Sequence, residues 1–238
     1  MALLDLVKAV MLECGLPPPA TAFTSTDKSV RRIIALSTDE GQQLAGNYNW
    51  AALQTRGTIT LVAAQQAYAL PADFDRPINR TNYDQSNRWQ MYGSLSPQEW
   101  SLINSGITTI APRRRWRIFG SGAATFFVDP IPTAGDAGSI LTYEYISKNW
   151  CKSFGGTGQD KWVADDDLAI LPERILKLGA KWRFLATIGQ AYEDDYNMYM
   201  EEAKSRFAQE VGSPVLNTDS TGLYSFFPYP NIPDGNFG

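Results

Sequence analysis

The stretch Arg56-Gly57-Thr58-Ile59-Thr60-Leu61-Val62-Ala63 marks a change of period. Ile59, Leu61 and Ala63 alternate with Thr58, Thr60 and Val62, and β-branched residues dominate, as in a strand with one buried face. Upstream, the apolar residues are spaced by three and four instead. Leu3, Leu6, Val7, Val10 and Met11 share one face of a helix expected over Ala2 to Cys14, which Gly15 and Pro17-Pro18-Pro19 stop. A second helix is expected from Thr26 or Asp27, residue types that cap helices, to about Tyr48. It would turn Val30, Ile33, Ile34, Leu44 and Tyr48 inward, with Gly41 weakening its middle.

Downstream, strand patterns recur at Thr58 to Val62, Ala67 to Leu70, Ile78 to Tyr83, Trp89 to Tyr92, Arg115 to Phe119, Thr125 to Val128 and Ile140 to Ile146. One short helix interrupts them. Ser96-Pro97-Gln98-Glu99-Trp100 has a capping serine, a first-turn proline and a glutamate placed to complete a capping box. Helical spacing returns after the glycine-rich loop Gly155 to Gly158. Pro172 starts a helix with Ile175, Leu178, Gly179, Trp182 and Leu185 on one stripe, Gly189 breaks it, and Tyr192, Tyr196, Tyr199, Ala203, Phe207 and Val211 form another stripe. Helical ends thus flank a strand-rich middle, an α+β organisation.

The chain has 238 residues, 21 Lys and Arg against 25 Asp and Glu, 19% charged residues and 12% aromatics. A charged fraction below the roughly 25% of ordinary soluble chains, with so many aromatics, implies surface covered by partners. There is no histidine. Serine-histidine and cysteine-histidine nucleophile pairs are therefore impossible, and two distant cysteines, Cys14 and Cys151, make a structural metal centre improbable on composition alone. No cofactor is expected. No segment approaches the roughly 20 apolar residues of a membrane span, and the start lacks the basic and small-residue features of a signal peptide, so a soluble protein made inside the cell is expected.

The two last helices carry opposite charge. Glu173 to Gly189 has four bases against Glu173, whereas Gln190 to Val211 has six acids against Lys204 and Arg206. They could pair as a hairpin or meet neighbouring copies. Asp165-Asp166-Asp167 reads as a solvated acidic loop favouring the following helix start, and Glu193-Asp194-Asp195 as a solvent or interface face; neither presents carboxylates to one substrate at controlled separation. Gly155, Gly156 and Gly158 lack the lysine and serine or threonine of a phosphate loop, and no serine elbow occurs. No enzyme activity is expected.

Arg113, Arg114, Arg115 and Arg117, interleaved with Trp116, put four positive charges in five residues. Such a strip could touch a DNA backbone without reading sequence, form intersubunit salt bridges, or be an exposed strand face. Residues 121–238 carry nine bases against sixteen acids, which disfavours stable DNA wrapping. The last 27 residues contain four Pro and four Gly, yet also Tyr224, Phe226, Phe227, Tyr229 and Phe237. Aromatics at that density read as anchors for another surface, with folding back onto the chain's own domain as the alternative.

Several phrases, in order, resemble the head-to-tail adaptor (connector) proteins of short-tailed bacteriophages, the group that includes tail tubular protein A. They are Gln66-Ala67-Tyr68-Ala69-Leu70-Pro71-Ala72-Asp73-Phe74-Asp75-Arg76 with Tyr48-Asn49-Trp50 and Leu53-Gln54 before it, then Ser96 to Trp100, Tyr145-Ile146-Ser147-Lys148-Asn149-Trp150, and Leu178-Gly179-Ala180-Lys181-Trp182-Arg183-Phe184-Leu185. The resemblance spans roughly Ala2 to Val211. It implies a helical bundle formed by the N- and C-terminal helices, with a central antiparallel β-rich domain and an extended C-terminal tail. The corresponding divisions are 1–55, 56–160 with a short helix near 96–104, 161–211 and 212–238. It further implies a dodecameric ring at the head-to-tail junction of a virion, assembled in the host cytoplasm. That ring would bind the portal protein ring above and tail nozzle or tail fibre proteins below, and pass double-stranded DNA without sequence recognition. On that reading Tyr224, Phe226, Phe227, Tyr229 and Phe237 dock onto portal.

A carbohydrate-binding or host-recognition tail module is the competing class, because aromatic β segments such as Trp89 to Tyr92 could line a sugar cleft. The flanking helices weigh against it, and Trp89 and Tyr92 could equally be core.

Overall fold

The computed structural model describes residues 1–105, 113–120 and 124–211. Its helical layer is built from α1 (Leu3–Glu13), α2 (Lys28–Asn47), α4 (Glu173–Ile188) and α5 (Glu193–Val211), contributed by both ends of the chain. The capping signals act as expected. The Asp27 carboxylate accepts from the Ser29 N–H at 2.8 Å at the start of α2, and Gly189 ends α4 with φ of 73°, a left-handed conformation that glycine adopts without steric cost. The short helix α3 (Pro97–Asn104) has its complete capping box, with Ser96 and Glu99 exchanging hydrogen bonds.

The middle of the chain forms antiparallel sheets. β1 (Gln54–Thr60) pairs along its whole length with β8 (Ile140–Ser147), which also pairs with β3 (Phe74–Pro77) and β4 (Tyr83–Asp84); β4 carries the edge strand β5 (Trp89–Gln90). A second sheet orders β2 (Ala67–Ala69), β7 (Thr125–Asp129) and β6 (Arg115–Phe119). A third joins β9 (Cys151–Lys152), β10 (Gly158–Gln159) and β11 (Leu168–Ala169). The α+β organisation, with a bundle from both chain ends and antiparallel sheets between, is the one expected; the C-terminal segment lies outside the described residues.

Two hydrophobic cores divide the work. The first joins Leu3, Leu6, Val10, Ile33, Leu44, Ile175 and Phe184 to Trp150 and Trp162, whose rings meet edge to face at 4.8 Å. The second holds Ile59, Leu61, Trp116, Phe126, Leu141 and Tyr143, with Trp116 and Phe126 stacked at 5.3 Å. Trp150 and Cys151 thus belong to the helical core although they follow the long strand β8.

Three local expectations change. The strand read at Ile78 to Tyr83 is instead mostly the loop between β3 and β4, in which the Ile78 N–H still reaches the Glu144 carbonyl at 2.9 Å. Tyr48 and Ile34 are only half-buried. Gly41 is a contact rather than a weak point: a Cβ there would lie 2.4 Å from the Trp150 ring, so only glycine lets the indole seat against α2.

Candidate interaction surfaces

The opposite charges of α4 and α5 are used within the chain. Lys181 binds Asp195 at 2.8 Å and Arg174 binds Glu202 at 3.0 Å, closing the two helices as a hairpin. α1 joins the same network, because Glu13 receives Lys177 at 2.9 Å and Lys181 at 3.3 Å. Burial works to raise the Glu13 carboxyl, but Lys177 and Lys181 outweigh it and hold it below its ordinary value. Burial likewise opposes charge on Lys181, and Asp195 and Glu13 outweigh that, raising its pKa.

Deeper in the bundle, Glu40 is fully buried on α2 and accepts from Arg183 Nε at 2.7 Å. Gly179 makes room for it, since a Cβ at that position would stand 2.5 Å from the Glu40 carboxyl carbon. Burial and then the Glu40 carboxylate push the Tyr199 hydroxyl of α5 upward. The Glu40 carboxylate therefore ties α2 to α4 through Arg183.

The acidic run before α4 is not a solvated loop. Asp167 is buried, and its carboxylate accepts from the Val163 and Ala164 N–H groups at 2.6 and 2.8 Å. Asp165 accepts from Ala22 and Phe23 N–H groups at 3.1 and 2.6 Å, while the carbonyls of Asp167 and Asp165 receive the first free N–H groups of α1, from Leu3 and Leu4. Only Asp166 is exposed. The run fastens the start of α1 and the following loop to the segment before α4. Asp195 of the second run is paired, and Glu193 and Asp194 face solvent.

The arginine strip divides. Arg114 is 5% exposed and reaches inward to Asp84 at 3.0 Å and Asp136 at 2.6 Å, so it belongs to the β-domain interior and not to a DNA-facing or subunit-facing surface. The Thr133 N–H and hydroxyl hold Asp136 low, and Arg114 adds to the effect. Arg115 lies opposite Asp129 at 3.7 Å across β6 and β7; burial raises that carboxyl in spite of the arginine. The Arg117 guanidinium covers the Phe119 ring at 5.2 Å, and Arg113 is exposed. Strand alternation explains the division, because neighbouring side chains leave opposite faces.

Several exposed aromatics carried no signal in the periodicity. Phe119 and Tyr92 are 60% and 63% exposed, and Trp89 is exposed beside Tyr92, so neither Trp89 nor Tyr92 is core. Phe154 is 77% exposed on the turn between β9 and β10, which Ser153 and Thr157 close by backbone hydrogen bonding at 2.8 Å. Tyr224, Phe226, Phe227, Tyr229 and Phe237 lie outside the described residues. Both cysteines are free thiols, and burial, then Asp167 and Asp160, push Cys151 up to about 12. Among the described residues no group of three or more acidic or sulfur side chains is placed to hold a metal ion, and no helix is long and apolar enough to cross a membrane.

The sequence pattern of one family, the SU10 adaptor protein, matches residues 1–225, and the chain belongs to that family. It is a structural adaptor of the phage virion, the head-to-tail class whose residues it resembles. The match runs past Val211 into the aromatic segment and includes Tyr224. No curated protein matches the sequence.

Proposed function

We propose that the chain forms a ring, dodecameric as in tail tubular protein A and its relatives, that docks beneath the portal, prolongs the DNA channel and offers its β domain to tail nozzle or fibre proteins. The family match over residues 1–225 carries this reading. Its work is geometric rather than catalytic, a reading supported by Asp165 and Asp167, whose carboxylates accept from backbone N–H groups. Tyr224, Phe226, Phe227, Tyr229 and Phe237 supply the portal anchors, since aromatics give large contact area at low entropy cost. Arg113 and Arg117 are the members of the arginine strip left for a neighbouring subunit or for passing DNA.

Mixing the chain with the portal ring of the same virus, with and without residues 212–238, tests the reading by mass photometry and negative-stain microscopy. A stoichiometric collar that is lost on truncation is expected. No complex at any salt concentration would overturn it. The exposed Trp89 and Tyr92 favour glycan binding as the second reading, and binding on a glycan array by the isolated chain would select it.

A further inference from the structure

β1 leaves one long sheet edge open. Among the described residues it pairs with β8 alone, over all seven positions from Gln54 to Thr60. The alternation of an antiparallel ladder fixes which backbone groups point away from β8. Just past the strand, Leu61 exchanges hydrogen bonds with the β8 side, donating to Ser139 at 2.9 Å and accepting from Gly138 at 2.9 Å. Val62 turns the other way, and its N–H and carbonyl meet the Tyr68 hydroxyl at 3.1 and 3.4 Å. Stepping back by two from Val62, the N–H and carbonyl groups of Thr60, Thr58 and Arg56 face outward, and all three residues are exposed. Tyr68 thus closes the edge at Val62 and leaves five residues, Arg56 to Thr60, as a template for another strand. Sheet edges of this length are ordinarily covered, charged or interrupted.

The chain's own exit point indicates the occupant. The last turn of α5 is fastened just ahead of β1, where the Glu210 carboxylate accepts from the Ala51 N–H at 2.9 Å and the Phe207 ring packs on Trp50 at 4.9 Å. From Val211, twelve residues lead to Leu223, a reach of about 40 Å when extended, against about 23 Å for the length of β1. Leu223-Tyr224-Ser225-Phe226-Phe227 is free of proline, bounded by Gly222 and Pro228, and equal in length to the open template. Its three aromatics suit a strand, in which Tyr224 and Phe226 would share one face and Leu223, Ser225 and Phe227 the other. We propose that in the free subunit Leu223–Phe227 pairs with the outward edge of β1, between Arg56 and Thr60. This goes beyond portal docking, because it assigns the same aromatic segment a seat on its own subunit.

Amide hydrogen exchange resolved at single residues, on the full chain and on Ser225→Pro, tests it. Proline at position 225 removes a central donor and leaves the described fold untouched. The expected result is at least about tenfold slower exchange at one or more of Arg56, Thr58 and Thr60 in the full chain. That protection should be lost in Ser225→Pro and after deletion of residues 212–238, while the Ile59 amide, which faces β8, is unchanged. Equal exchange in all three proteins overturns the proposal, as does protection that falls on dilution over about a hundredfold range, which assigns the edge to a second copy. A portal arm separates the two readings: failure to bind portal with β1 protection intact sinks docking alone, and portal capture without any β1 protection sinks this pairing alone.

Discussion

Arg114 shows how far the surroundings of a side chain depart from its place in the sequence. In the chain it is one of four clustered arginines; in the fold it is buried against Asp84, itself 1% exposed, with Asp136 as second partner. Replacing it by alanine strands the Asp84 carboxylate in the interior, for which a loss of about 3–5 kcal/mol is expected. Urea unfolding of R114A followed through the Trp116 environment measures it, and D84A combined with R114A should recover part of the loss. A loss below about 0.5 kcal/mol, the size of an ordinary surface change, would contradict this account. The burial was legible in principle, because strand alternation puts Arg114 on the same side as Trp116 and Arg115 with Arg117 on the other. Its partners were not, since Asp84 and Asp136 stand 30 and 22 residues away and only the sheet brings them together.

At the scale of elements, periodicity and caps were enough for α1, α2, α3, α4 and α5, whose signals are local. They were not enough for β3 or the short strands β9, β10 and β11. β3 exists through its pairing with the far strand β8, and the two-residue strands β9, β10 and β11 carry no period to read. Gly41 belongs to the same lesson. Alanine there should gain about 1 kcal/mol of helix propensity, yet its Cβ would sit inside the Trp150 ring contact, and overpacking of about 1–3 kcal/mol outweighs the gain. G41A should therefore melt lower than the parent, with an altered near-ultraviolet tryptophan signal.

The docking of α1 on α4 has a pH signature. Glu13 is held below its ordinary 4.5, so its contribution is complete above pH 4.5 and is lost as pH falls through the lower folded value. Lys181 is held above its ordinary 10.5, so its contribution is complete below pH 10.5 and is lost as pH rises through the higher folded value. E13Q should flatten the acid limb of stability against pH, measured by thermal melts, and leave neutral-pH stability lower by less than about 1 kcal/mol, because the pair is partly exposed. An unchanged acid limb would show that Glu13 is not linked to folding.

For the whole molecule the decisive quantity is charge. The net charge of minus 4, the acidic second half and the internal use of Arg114 leave little to hold DNA. The free subunit should show no binding to a short duplex at about 150 mM salt, and at low salt a log–log slope of about two, from Arg113 and Arg117. Fluorescence anisotropy across a salt series measures both, and tight salt-resistant binding would contradict a passive channel.

Arg76 links the two layers. From β3 its guanidinium donates to the Ala45 and Tyr48 carbonyls at the C-terminal end of α2, at 3.1 and 2.7 Å, while its Nε donates to the Asn49 side chain at 3.0 Å. A strand residue thus closes a helix terminus. Loss of Arg76 would therefore undo the end of α2 and its link to the sheet in one step.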